Sequence, residues 1–166
     1  MWGYLAVSGG FNVPQVLGST ATYLRGKIGG LDGRGLQVDD VLSVGTPDVD
    51  LTTAAGRIFT SDKTPNYIPS PTLRVIMGPQ VEAFSQKGIQ TFLSQDYVIQ
   101  FDSDRMGYRA EGQIIEHAGS SDIISDGIVT GSIQVPANGQ PIIMMADHQT
   151  TGGYPKIATV IRADIP

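Results

Sequence analysis

Residues 125–161 read SDGIVTGSIQVPANGQPIIMMADHQTTGGYPKIATVI, and the fold follows from how this stretch is punctuated. Three short apolar runs, 131–135, 141–146 and 156–161, are separated by two polar, glycine-bearing connectors, which predicts strand, turn, strand, loop, strand. The first connector, Pro136-Ala137-Asn138-Gly139-Gln140, holds an Asn-Gly pair, the dipeptide that best tolerates positive φ and closes hairpins. The second, 147–156, gathers an acid, an imidazole, two hydroxyls, a carboxamide, a phenol and an amine around Gly152 and Gly153. A loop that only turned would not need that inventory. Polar side chains carried between buried strands are how a stiff scaffold presents a binding or reacting group.

Upstream, short apolar runs and chain breakers continue to alternate. Residues 4–7, 41–44, 73–77 and 97–101 read as further strands, and the glycine-rich 18–35 and proline-bearing 46–70 as surface loops. One helix stands out: Ser85 can cap 86–93, in which Ile89, Phe92 and Leu93 share a face. Gly88 weakens that helix by up to about 1 kcal/mol relative to alanine, so packing must hold it. The segment 102–112 is read as a second polar concentration between strands. Many short strands and one or two short helices predict an all-β barrel or sandwich.

The chain of 166 residues is 40% hydrophobic with 21 glycines and 10 prolines, which suits one compact domain over 1–166 rich in turns. A net charge of −5 without a basic run argues against a nucleic-acid partner. No cysteine is present, which removes disulfides, thiolate metal sites and a cysteine nucleophile. No apolar run approaches the roughly 20 residues of a membrane-spanning helix, so no membrane association is expected and a cytoplasmic location is. With two histidines, His117 and His148, a zinc site would lean on carboxylates, and no metal is expected. No Gly-x-Ser-x-Gly elbow marks a serine hydrolase.

Residues 124–158, together with Tyr4 to Phe11 followed by Gly18-Ser19-Thr20, and with Ser103 to Arg109, resemble the carboxyltransferase-type subunit family in the same order. That family includes the C subunit of bacterial ATP-dependent 5-oxoprolinase, a sporulation-linked antagonist of a histidine-kinase inhibitor, and one half of the carboxyltransferase domain of urea carboxylase. The resemblance implies a cyclophilin-like closed β-barrel, without implying prolyl isomerase activity. It also implies partner subunits of the 5-oxoprolinase A and B type, ATP handled by such a partner, and no cofactor bound by this domain. Biotin would have to arrive in trans, since the chain has no Ala-Met-Lys-Met attachment motif. Family members are about twice as long, so the chain is expected to lack their N-terminal half. The reaction implied is opening of the 5-oxoproline lactam to glutamate; the alternative is a regulatory module that binds a kinase-inhibitor partner.

A small carboxylic acid or lactam substrate sets the chemistry sought. Arg105 and Arg109 offer planar, bidentate donors for a carboxylate. Thr150 or Thr151 with the backbone amides of Gly152 and Gly153 could donate to an oxygen gaining negative charge, while Lys156 supplies a second cation and Asp147, ranked with Thr151 and Lys156 as catalytic, a carboxylate. The carboxamides Gln149 and Gln134 are further substrate-binding candidates. For Gln134, an outward-facing strand position and a carboxamide that reads a lactam or ureido edge are both open. The competing account of the charged residues is that Asp104 or Asp147 pairs with Arg105 or Arg109 to tie loops together.

Overall fold

In the computed structural model, residues 5–47, 50–58, 60 and 68–164 are described, and the chain divides into two compact units, 1–67 and 68–166. The first is built from turns. Isolated bridges join Phe11 to Val44, Val16 to Ser19 and Tyr23 to Ile28, and a single helical turn, α1 (Leu51–Ala54), starts where the Asp50 carboxylate accepts from the Thr52 amide at 2.9 Å. The strands expected at 4–7 and 41–44 are not present among the described residues: 5–7 make no strand pairing there, Val44 contributes one bridge, and Tyr4 lies outside the described residues. Val41 and Val44 are exposed, so no buried face stabilises a strand there. Arg34 binds both oxygens of Asp40 at 2.7 and 2.8 Å, a bidentate tie within the loop. That guanidinium, helped by the Gln37 amide, holds the Asp40 carboxyl down at about 2.

The second unit carries the sheet. Its strands are β1 (Val75–Met77), β2 (Tyr97–Ile99), β3 (Gly107–Gly112), β5 (Ser132–Gln134), β6 (Ile142–Met144) and β8 (Lys156–Val160), all antiparallel, in the spatial order β1-β8-β5-β6-β3-β2. A separate ribbon pairs β4 (Asp126–Gly127) with β7 (Thr151–Gly152). The molecule is therefore mostly β with one sizeable helix. Among the described residues the sheet stays open, with β1 and β2 at its edges, instead of closing into the expected barrel.

The three runs of 125–161 fold as their punctuation predicts. β5 and β6 form a hairpin whose turn is closed by the Gly139 amide on the Pro136 carbonyl at 2.9 Å. Gly139 alone takes the positive φ there, +71°, and an added Cβ would press on Ile114 Cγ2 at 2.5 Å. β8 then returns along the other edge of β5, which makes β5 central and buried along its whole length. The helix also forms as expected, as α2 (Gln86–Ser94), and the Ser85 hydroxyl caps it by accepting from the Gly88 amide at 2.9 Å. Its half-buried Ile89 and Phe92 pack on the core of Phe84, Ile115, Ile133, Val135, Ile157, Ala158 and Val160.

β3 departs from expectation. Within the segment read as a polar loop, 107–112 form the longest strand, bonded to β2 on one side and β6 on the other. Pairing on both edges makes a strand of Gly-Tyr-Arg-Ala-Glu-Gly, in which only Gly107 and Ala110 are buried.

Candidate functional site

β5 buries two different faces. Ile133 and Val135 point into the apolar core, whereas Ser132 and Gln134 point the opposite way and are nonetheless buried. Register extends the polar face across the sheet. Gln134 lies opposite Lys156 of β8 and opposite Ile142 of β6, and Ile142 lies opposite Arg109 of β3. Directly opposed residues share a face, so Lys156, Gln134, Ile142 and Arg109 form one transverse row. With strands about 4.8 Å apart, the row spans roughly 14 Å of backbone. A register irregularity between Ile133 and Gln134 admits Ile157 as an extra residue of β8 and turns it into the core.

The Lys156 end of the row is roofed by the β4–β7 ribbon. Gly152 sits so close to Gln134 that an added Cβ would lie 2.7 Å from its Nε2, so glycine is needed for the ribbon to approach. The Lys156 side chain is only 6% exposed, and its ammonium donates to Asp126 Oδ2 and to the Gly127 carbonyl, each at 2.6 Å. Asp126, half exposed, also accepts from Gln80 Nε2 at 3.0 Å and from the Gly127 amide at 2.8 Å. Hydrogen bonding to Lys156, then to Gly127 and Gln80, holds the Asp126 carboxyl at about 2, so it is anionic at neutral pH. Gln80 further accepts from the Lys156 amide at 3.2 Å. Segments remote in sequence thus converge on one buried ammonium.

The predicted residues distribute as follows. Lys156, Gln134 and Gly152 meet in this cluster, and the burial of Gln134 overturns its outward-facing reading. Arg109 shares the row but is exposed, with Nε 3.2 Å from Asp102 Oδ2. Arg105 lies beyond the end of β3 and is bound at two points to Asp147, whose carboxyl is lowered by the Arg105 hydrogen bond. This is the loop tie that competed with a ligand role. Thr151 is exposed on β7 opposite Gly127, the Gly153 carbonyl accepts from the Ile123 amide at 2.8 Å, and Gln149 is exposed. His117 packs its ring 4.9 Å from Phe84 and meets the Val135 carbonyl at 3.0 Å. Sequence reasoning missed Asp126 and Gln80, because no local pattern links either residue to Lys156.

Comparison with known proteins places this architecture. The family model of the carboxyltransferase domain, subdomain A and B, matches residues 1–166. The chain belongs to the carboxyltransferase-domain family. It is 45% identical to the 5-oxoprolinase C subunit of Haemophilus influenzae over 99% of its own length and 51% of the relative's. With the 5-oxoprolinase C subunit of Escherichia coli the identity is 40%, over 99% of this chain and 51% of the other. This carboxyltransferase-domain chain thus spans about half the length of the curated relatives it matches. Among solved structures, the urea amidolyase of K. lactis superposes with a TM-score of 0.69 at 26% identity, covering 95% of this chain and 10% of that one. No helix among the described residues is long and apolar enough to cross a membrane.

Proposed function

We propose that this chain is the carboxyltransferase-domain component of a multi-subunit, ATP-dependent amidohydrolase of the 5-oxoprolinase type, in which the lactam of 5-oxoproline is opened to glutamate. The observation that carries this reading is the 45% identity to a 5-oxoprolinase C subunit along essentially the whole chain. Identity to urea amidolyases is lower, at 26%. In this reading the polar face of the sheet receives the substrate. Lys156 and the exposed guanidiniums of Arg109 and Arg105 favour an anionic ligand, and Thr151 with the Gly152 and Gly153 amides donates toward the carbonyl oxygen as charge develops there. Asp147 serves as the carboxylate of the site only if its tie to Arg105 opens. Partner subunits of the A and B type handle ATP in the cytoplasm and complete the site, so the chain alone is inactive.

A second reading, carboxyl transfer to a urea-like acceptor with biotin delivered on another domain, is favoured by the superposition on urea amidolyase. One experiment separates the two. The full-length protein is combined with its co-encoded neighbours and supplied with 5-oxoproline and ATP. Stoichiometric glutamate and ADP support the first reading; turnover that requires bicarbonate and a biotinylated partner supports the second; neither product sinks both.

A further inference from the structure

We propose that Gln134 and Lys156 form a reader for a cis-amide edge, taking a lactam or ureido group by donating to its carbonyl oxygen and accepting from its N–H. This deepens the function proposed above by assigning the substrate's reacting amide to one spot on the sheet. An ammonium carries three N–H donors, and Lys156 spends two on Asp126 and the Gly127 carbonyl. The third has no acceptor among the described residues. Gln134 is 2% exposed and donates Nε2 to the Tyr154 carbonyl at 3.2 Å, which fixes which end of the amide is oxygen.

That oxygen accepts no hydrogen bond within the described residues, yet it is not sealed: among those residues, the single fully enclosed side-chain polar atom without a partner is Ser8 Oγ. One acceptor and one donor therefore remain unspent on adjacent, directly opposed residues of the same sheet face. A cis-amide presents its N–H and C=O side by side, and so satisfies both at once. A trans-peptide presents them on opposite sides and does not. Asp126 and Gln80 act as positioning residues: they hold the ammonium at the β4–β7 ribbon and leave its third proton for the ligand.

The test uses the 166-residue chain and three probes: 2-pyrrolidone, which has the cis-amide edge; N-methyl-2-pyrrolidone, which keeps the carbonyl but lacks the N–H; and 5-oxoproline. NMR titration is expected to perturb the Gln134 side-chain amide and the Lys156 methylenes with 2-pyrrolidone and 5-oxoproline, with affinity falling at least about tenfold on N-methylation, the loss of one good hydrogen bond. Gln134→Met should abolish the distinction between the two pyrrolidones, and Gln134→Glu, which keeps an acceptor, should preserve it. Equal binding of the two pyrrolidones to the unmodified chain, perturbation confined to other residues, or no perturbation of Gln134 at the highest soluble concentration overturns the proposal. The result is separable from the enzymatic reading. An assembled complex that makes glutamate while Gln134 ignores lactams leaves that reading intact, and a chain that selects cis-amides within an inactive complex refutes only the reaction.

Discussion

Arg105 and Asp147 are joined twice, Nε to Oδ2 at 2.7 Å and Nη2 to Oδ1 at 3.1 Å, just past the last register pair of β3 and β6. Backbone bonds run beside the pair, from the Met145 amide to the Met106 carbonyl at 3.1 Å and from the Asp147 amide to the Arg105 carbonyl at 2.8 Å. The backbone already ties these segments, and both side chains are more than half exposed, so the ion pair itself contributes about 0–1 kcal/mol. Arg105→Ala is therefore expected to cost no more than about 1 kcal/mol in urea denaturation of the chain near neutral pH. In the assembled complex, a fall in kcat/KM larger than about tenfold for the same variant would show that the guanidinium leaves Asp147 for substrate, and unchanged kcat/KM would leave Arg105 a tie and nothing more.

Acid should act most strongly through Asp126 and Asp40, each held at about 2 against an ordinary 3.8. A carboxyl whose folded value is depressed stabilises the fold above its unfolded value and loses that contribution as pH falls through the folded one. The window is thus pH 3.8 down to about 2. Circular dichroism melts of Asp126→Asn should show a Tm below the unmodified chain's at neutral pH, with the gap closing across that window. A gap that persists undiminished at pH 2 would mean that the Lys156 contact is not what lowers the carboxyl.

Residues whose structure is decided by their neighbours in sequence were legible; those decided across the sheet were not. The apolar runs that became β5, β6 and β8, the Asn-Gly turn and the Ser85 cap each carry their own local signal, and each formed where expected. β3 carried none, because Arg109 and Glu111 are exposed, Tyr108 is only half-buried, and the strand exists through pairing with β2 and β6. Nor does local sequence show which members of the two polar groups share a face. Arg109 does share a sheet row with Gln134 and Lys156, but Arg105 and Asp147 close on each other at the strand ends. The Lys156 site depends on Gln80 and Asp126, which arrive from 76 and 30 residues away, and no spacing rule marks contacts of that range.

Gly88 should resist improvement. Helix propensity alone makes Gly88→Ala stabilising by up to about 1 kcal/mol. In the fold, however, the new Cβ would lie 2.2 Å from the Glu116 carbonyl oxygen and 2.9 Å from its nitrogen, both backbone atoms that cannot step aside. Overpacking of this kind costs about 1–3 kcal/mol, so the net effect is destabilising. Gly119→Ala is the matched control, since nothing lies within 4 Å of its Cβ position, and it should leave stability unchanged or slightly raised. Thermal melts in which Gly88→Ala equals or exceeds Gly119→Ala would disprove the close approach of α2 to residue 116.

Ser8 should be better as alanine. Its hydroxyl is enclosed and has no hydrogen-bond partner among the described residues, in a turn where Gly9 and Gly10 take φ of +84° and +70° and the Gly10 amide bonds the Val7 carbonyl at 3.0 Å. An unsatisfied buried hydroxyl costs about 1–3 kcal/mol of desolvation, and alanine removes it with almost no change in shape or backbone preference. Ser8→Ala is expected to be neutral or to stabilise the first unit by about 1 kcal/mol, read as slower amide exchange in residues 5–47. Faster exchange there would mean that the hydroxyl does bond something, and that the turn depends on that contact.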